Sequence, residues 1–213
     1  YLLNSVNPFR VEGQKTVVLE INDQLRRLPD VLVLPVGNAG NITAVWKGLL
    51  ELRTLGLANR LPRLIGIQAE KASPIADAFK RGLDHIEPAA KPETVATAIR
   101  IGSPVNWKRA PAAAKNSGGL IETVSDREIL QAQKMLASRE GIFVEPASAS
   151  TIAGVGKLLG GGFIDPDEET VCITTGNGLK DQEAVALSTE QTTKARPTRE
   201  SVMAILTQRS SIP

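Results

Sequence analysis

The chain has 213 residues, and its 25 Lys and Arg against 23 Asp and Glu give a formal net charge of +2. This near balance provides no broad basic surface, which argues against a dedicated nucleic-acid-binding protein. The single cysteine excludes a disulfide framework, and the single histidine leaves no ligand set for zinc and argues against a Ser-His-Asp triad. Any catalysis must therefore draw on chemistry other than that of histidine or a protein-bound metal.

The chain reads as strands alternating with helices. Short apolar runs typical of a buried parallel sheet predict strands at residues 31–36, 63–68, 120–124, 142–144 and 171–175. Apolar spacing and capping residues predict helices at residues 17–28, 74–81 and 94–100, and from 126 onwards behind the capping box 125–128. This alternation predicts an α/β fold, a three-layer parallel sheet with helices on both faces, in which ligands bind at the carboxyl ends of the strands.

The most informative segment is the loop at residues 37–41 (GNAGN), which follows the best strand and opens a helix. Two glycines allow a sharp turn and a close approach of the backbone to a ligand. The unpaired N–H groups of a helix N-terminus favour an anion such as a phosphate. The loop is neither a Walker loop nor a GxGxxG fingerprint. An ordinary strand-to-helix connection capped by Asn is the alternative at this point.

Two further turns of small residues follow predicted strands, at residues 145–150 (EPASAS) and 174–181 (TTGNGLKD). The second of them, taken alone, is as consistent with a plain Asn-Gly turn. Because the carboxyl ends of parallel strands meet at one edge of a sheet, three such loops together favour a common binding site.

Four segments in this order resemble the threonine synthase family, which belongs to the pyridoxal-phosphate (PLP) enzymes of the tryptophan-synthase-β type. They are residues 4–16 (NSVNPFRVEGQKT), 34–48 (LPVGNAGNITAVWKG), 145–151 (EPASAST) and 174–181 (TTGNGLKD). The resemblance implies that the chain is the incomplete large domain of such an enzyme. It implies that residues 1–12 end a small-domain, substrate-binding segment and that residues 13–213 form the C-terminal part of the PLP-binding domain.

The resemblance also implies roles for individual residues. The PLP phosphate would be bound by the loop residues Gly37, Asn38, Ala39, Gly40 and Asn41. Thr175 would hydrogen-bond the pyridine nitrogen of the cofactor, and its neutral hydroxyl need not protonate the ring as a carboxylate would. Ser5 and Arg10, with Asn38, would hold the phosphate of the substrate, for which the planar guanidinium is well suited.

The reaction implied is the PLP-dependent conversion of O-phosphohomoserine and water to threonine and phosphate, a carbon–oxygen lyase reaction. In this family the lysine that binds the cofactor covalently lies N-terminal of the NSVNPFR segment, and no such region is present here. Lys15, Lys47 and Lys180 have the sequence context of solvated rather than catalytic lysines. We therefore expect no catalytic residue within this chain, and no turnover by the 213 residues alone.

Two alternatives remain open on the sequence. One is a related PLP enzyme acting on another phosphorylated amino acid, such as O-phosphoserine, and the other is a non-enzymatic module that binds an anion or a nucleotide. No apolar run approaches the roughly 20 residues of a membrane span, so no membrane partner is expected. The single cysteine and the absence of a signal segment favour the cytoplasm, and the family resemblance implies a homodimer.

Overall fold

The computed structural model describes residues 7–181 and 194–209, and it shows a parallel sheet between two layers of helices. The strands are β1 (Val31–Pro35), β2 (Arg63–Ala69), β3 (Leu120–Val124) and β4 (Thr170–Cys172). The helices are α1 (Pro8–Gln14), α2 (Thr16–Leu25), α3 (Gly40–Thr54), α4 (Pro74–Arg81), α5 (Arg109–Asn116), α6 (Asp126–Glu140), α7 (Pro146–Gly160) and α8 (Arg199–Arg209). Short 3₁₀ helices occur at Thr97–Ile99 and Gly178–Lys180.

The strand order is β3-β2-β1-β4, and every pair of neighbours is parallel. Val33 of β1 is aligned with Ile65 of β2 on one side and with Cys172 of β4 on the other. The chain thus moves outward from β1 to β3 and then returns to the opposite side of β1. This reversal makes the carboxyl ends of β1 and β4 the topological switch point, where open parallel sheets bind ligands.

Alternating residues of β1 supply the two cores that hold the three layers together. Leu32 and Leu34 pack against the layer of helices α2 to α5, whereas Val31 and Val33 pack against α6 and α7. All four side chains are fully buried, and each contributes about 1.5–3 kcal/mol relative to an exposed position. The predicted three-layer α/β fold is confirmed. Among the described residues no helix is long and apolar enough to cross a membrane.

The strand predicted at residues 142–144 is wrong, because only an isolated antiparallel bridge between Val144 and Asn177 forms there. The segment lies between Gly141, the left-handed residue that ends α6, and the first turn of α7. Its carbonyls accept hydrogen bonds from elsewhere: that of Val144 from the Gln133 side chain at 2.8 Å, and that of Phe143 from the Gly178 amide at 3.1 Å. Because these hydrogen bonds do not come from a neighbouring strand, residues 142–144 do not extend the sheet.

The helix predictions are confirmed in part. Gly82 ends α4 in the left-handed conformation, and the reciprocal capping box of Ser125 and Glu128 opens α6. The predicted helix at residues 94–100 is wrong beyond a single 3₁₀ turn, because the Thr94 hydroxyl accepts the Ala96 amide at 3.1 Å and interrupts a regular helical ladder. The helix predicted to reach residue 28 ends earlier, where Arg26 adopts a left-handed φ of 59°.

Glu122 of the edge strand β3 contacts lysines from two helices, α4 and α7. Its carboxylate accepts hydrogen bonds from Lys80 of α4 and from the Thr123 amide, and Lys157 of α7 lies 3.4 Å away. Burial on its own raises the pKa of Glu122, but these hydrogen bonds and the lysine charges outweigh it and lower the pKa from 4.5 to about 2. The folded state therefore favours the ionised carboxylate.

We predict that Glu122→Gln lowers the free energy of unfolding at pH 7 by about 1–2 kcal/mol, after discounting for solvent screening of the lysines. Because the folded-state pKa is depressed, this contribution is present above pH 4.5 and is lost as the pH falls towards 2. Urea unfolding of both proteins between pH 7 and pH 2 measures it. A difference between them that stayed constant over this range would contradict the prediction.

Candidate functional site

A cavity of about 410 Å³ opens at the carboxyl ends of β1 and β4, within the size range of small-molecule sites. Its wall combines the loop after β1, the loop after β4, the first turn of α7 and the exposed side of α1. The lining residues are Arg10, Gln14, Pro35, Gly37, Asn38, Ala39, Gly40, Asn41, Ala98, Ile99, Glu145, Ala147, Thr175 and Lys180. The topology thus brings three of the predicted loops into one site.

The loop at residues 37–41 turns on an alanine. Ala39 has the left-handed φ of 61° and is the N-cap residue of α3, whereas Gly40 already belongs to the helix. The Thr43 amide donates to the Ala39 carbonyl, so the amides of Gly40, Asn41 and the next residue precede the helical ladder. Gly40 and Asn41 line the cavity, so the positive end of a 15-residue helix lies at its wall and suits a phosphate.

Gly37 and Asn38 fix this loop against a neighbouring segment. A Cβ at Gly37 would lie 3.0 Å from the Ala98 carbonyl oxygen, so close approach rather than a positive φ explains the glycine. The Asn38 amide oxygen accepts from the Val105 amide at 3.4 Å, which leaves the side-chain nitrogen as its donor. Asn38 can therefore stabilise an anion at the rim of the cavity.

The opposite wall is organised by Ser148, in the first turn of α7. Its fully buried hydroxyl oxygen accepts from the amides of Thr175 and Gly176 at 2.8 and 3.0 Å. The Glu145 amide in turn donates to the Gly176 carbonyl at 3.0 Å. These contacts join α7 to the loop after β4 and hold the Thr175 side chain at the cavity.

Glu145 supplies a buried carboxylate on this wall and is only 3% exposed. One oxygen accepts from the Thr175 hydroxyl at 3.2 Å, and the other lies 3.3 Å from the Lys180 ammonium. Gly176 makes room for the carboxylate, because a Cβ there would lie 2.7 Å from Oε2 of Glu145. The acidic group is therefore held by an ion pair and by the hydroxyl of a residue that lines the cavity.

The structure brings together nearly all the site residues expected from the sequence. Arg10, the loop 37–41 and Thr175 line the same cavity, whereas Ser5 lies outside the described residues. Glu145 was not predicted as a site residue, although this glutamate follows an apolar run at the expected edge of the sheet. Gln14 was not predicted either, because no pattern in the sequence distinguishes this residue of α1 from other polar residues.

The three lysines weighed in the sequence have different surroundings. Lys15 and Lys47 form ion pairs with Glu12 and Glu51 at the junction of α1, α2 and α3, and their side chains are 18% and 42% exposed. Lys180 is 65% exposed but lies on the cavity wall, where it pairs with Glu145.

Comparison with protein families matches residues 1–176 to the family described as "Pyridoxal-phosphate dependent enzyme". The chain belongs to this family. The donor set of the cavity fits the family's cofactor, because a helix N-terminus suits its phosphate and a hydroxyl suits its ring nitrogen.

Among curated relatives, a threonine synthase of Methanocaldococcus jannaschii is 57% identical over 195 residues, which cover 91% of this chain and 48% of that protein. A threonine synthase of Mycobacterium tuberculosis is 52% identical, with coverage of 84% and 48%. The chain thus spans about half the length of the curated relatives it matches. The fold matches the crystal structure of threonine synthase from Escherichia coli with a TM-score of 0.69 at 22% identity, covering 99% of this chain and 46% of that one.

We predict that Gly176→Ala destabilises this PLP-family chain by about 1–3 kcal/mol, since the new methyl group must displace the buried carboxylate of Glu145. The matched control is Gly156→Ala in α7, where a Cβ meets nothing within 4 Å and helix propensity favours alanine. Thermal and urea unfolding of the two variants measure the difference. Equal stability of the two variants would contradict the predicted collision.

Proposed function

We propose that the protein containing this chain is a threonine synthase, which converts O-phosphohomoserine and water to threonine and phosphate. The supporting observation is the identity of 57% and 52% to threonine synthases over most of this chain. The cavity supports the same assignment, because it combines a phosphate cradle, an arginine and a hydroxyl in one site of sufficient volume.

In this proposal the amides of the loop 37–41, at the N-terminus of α3, hold the phosphate of PLP, and the Thr175 hydroxyl bonds its ring nitrogen. Arg10 and Asn38, together with Ser5, hold the phosphate of the substrate. When bound, PLP supplies the electron sink for the reaction. The chain's own residues bind the two phosphates, orient the reacting groups and stabilise charge.

We further propose that the 213 residues alone do not turn over substrate. Each lysine of the chain lies within the described residues, and Lys180 is the one on the wall of the described cavity. Its ammonium pairs with Glu145 and is largely solvent-exposed, whereas a lysine that binds the cofactor covalently needs a depressed pKa and a fixed position. We expect borohydride to trap no pyridoxyl-lysine within this chain.

The same proposal covers the domain boundaries, the compartment and the oligomeric state of the protein. Residues 1–12 end a substrate-binding segment, residues 13–213 belong to the cofactor-binding domain, and the protein acts in the cytoplasm as a homodimer. The single cysteine supports the placement in a reducing compartment. Light scattering of the full gene product tests the oligomeric state, and a monomer would contradict the dimer.

We predict that Gly40→Asp weakens the binding of PLP to the full gene product at least about tenfold, because it places a negative charge in the phosphate cradle. The control is Gly156→Asp, at an exposed position of α7 outside the cavity. Spectral titration with PLP, and with ATP for comparison, measures the affinities. A wild-type protein that binds ATP but not PLP would indicate a nucleotide-binding module instead.

We predict that Arg10→Ala raises KM for O-phosphohomoserine about 10- to 100-fold, since the substrate phosphate loses charge-assisted hydrogen bonds. Arg127→Ala, an exposed arginine of α6, should leave KM unchanged. Phosphate release measures both variants, with O-phosphoserine as the competing substrate. A wild-type enzyme that prefers O-phosphoserine would refute the proposed substrate but keep the phosphate site.

A further inference from the structure

We propose that a ring of four charges positions Arg10 for the phosphate of the substrate by holding α1 against α3. The charge ring consists of Glu12 of α1, Lys15 directly after α1, and Lys47 and Glu51 of α3. This inference rests on the proposed function, since it assumes that Arg10 binds the substrate phosphate. The four residues act through Arg10 and are therefore positioning residues.

The first observation is how little of α1 is buried. The helix has seven residues, and none of them is fully buried. Its aromatic residue Phe9 is 74% exposed, and Val11 is only partly buried. Burial of apolar surface therefore contributes little to fixing this helix, and polar contacts must supply much of the force that holds it in place.

The charges alternate in sign around the closed charge ring. One oxygen of the Glu12 carboxylate lies 2.5 Å from the Lys15 ammonium, and the other binds Lys47. The Glu51 carboxylate lies 2.7 Å from the Lys15 ammonium and 3.8 Å from that of Lys47. A single exposed ion pair contributes little, but here each charge has two opposite neighbours, and the Lys15 side chain is only 18% exposed.

Gly48 brings the two segments into direct contact beside the charge ring. A Cβ at this position of α3 would lie 2.8 Å from the Lys15 carbonyl oxygen and 2.6 Å from Cγ2 of Val18. The junction of α1 and α2 therefore packs against the backbone of α3 next to Lys47. The charge ring thus holds a segment that already lies against the helix whose N-terminus forms the phosphate cradle.

The charge ring and Arg10 lie on opposite sides of α1. Residues two apart in a helix differ by about 200° around its axis, so Glu12 lies away from Arg10 and Gln14. The latter two residues line the cavity together with the loop 37–41. Because the charge ring connects α1 to α3, it sets the rotation of α1 and the separation of Arg10 from the cradle.

The experiment reverses charges in the full gene product without changing its net charge. Glu12→Lys combined with Lys15→Glu keeps the ion pair within the first segment but places like charges opposite each other across the junction with α3. Lys47→Glu combined with Glu51→Lys does the same from the side of α3. Reversal of all four charges restores every opposite-charge pair and is the matched control.

Each half-reversed variant should raise KM for O-phosphohomoserine about tenfold, because a displaced Arg10 binds the substrate phosphate less well. The affinity for PLP should stay unchanged, since the loop 37–41 has its own contacts, among them the Asn106 amide, which donates to the Asn38 carbonyl at 3.2 Å. Reversal of all four charges should return KM to within about twofold of wild type. In an Arg10→Ala background, the half reversals should raise KM no further.

Hydrogen exchange supplies a readout that does not depend on activity. Amides of residues 8–15 should exchange faster in the half-reversed variants and at the wild-type rate in the fully reversed one. Glu12→Gln covers the case in which a half-reversed variant does not fold. This variant removes one charge of the ring and should raise KM about threefold.

An unchanged KM in the half-reversed variants would overturn the inference while leaving the proposed function intact, even with faster exchange in α1. A raised KM that persists when all four charges are reversed, or that adds to the effect of Arg10→Ala, would likewise overturn it. A wild-type protein that acts on O-phosphoserine instead would refute the proposed function alone, and the same variants are then compared with that substrate. A wild-type protein that acts on neither substrate would overturn the proposed function, and this inference with it.

Discussion

The site depends on the parallel pairing of β1 with neighbours on both sides. Because β2 and β4 flank β1, the connections leaving the sheet diverge at its carboxyl end, and a cavity remains between them. The pairing continues past β4, where the Ile173 amide donates to the Val33 carbonyl at 2.9 Å. This bond fixes the chain against β1 two residues before Thr175. A shift in the pairing of the short strand β4 would move that hydroxyl away from the loop after β1.

The near-neutral net charge of the chain is compatible with an anion site that is built mainly from backbone amides. Oriented amides at the N-terminus of α3 and the neutral side chain of Asn38 provide much of the positive potential, so few cationic side chains are needed. The described cations on the wall are Arg10 and Lys180, and the Lys180 ammonium lies 3.3 Å from the Glu145 carboxylate. A net charge of +2 is therefore compatible with binding two phosphates.

Local signals in the sequence predicted the elements that local forces determine. The apolar run of β1 and the capping box of α6 each combine neighbouring residues, and both were found as predicted. The failed strand at 142–144 and the missed role of Glu145 have one cause. Phe143 and Glu145 form hydrogen bonds with residues 30 or more positions away, in the loop after β4, and no local pattern in the sequence reveals these contacts. The left-handed Ala39 is similar, since glycines on either side suggested a different turning point.

Hydrogen bonds within the protein hold the cavity wall that is formed by Ser148, Glu145 and Thr175. Ser148 satisfies two backbone amides that would otherwise be buried without partners, so its orientation is fixed by the fold and not by a ligand. A site built in this way is organised before the cofactor arrives, so little binding energy is lost in ordering it.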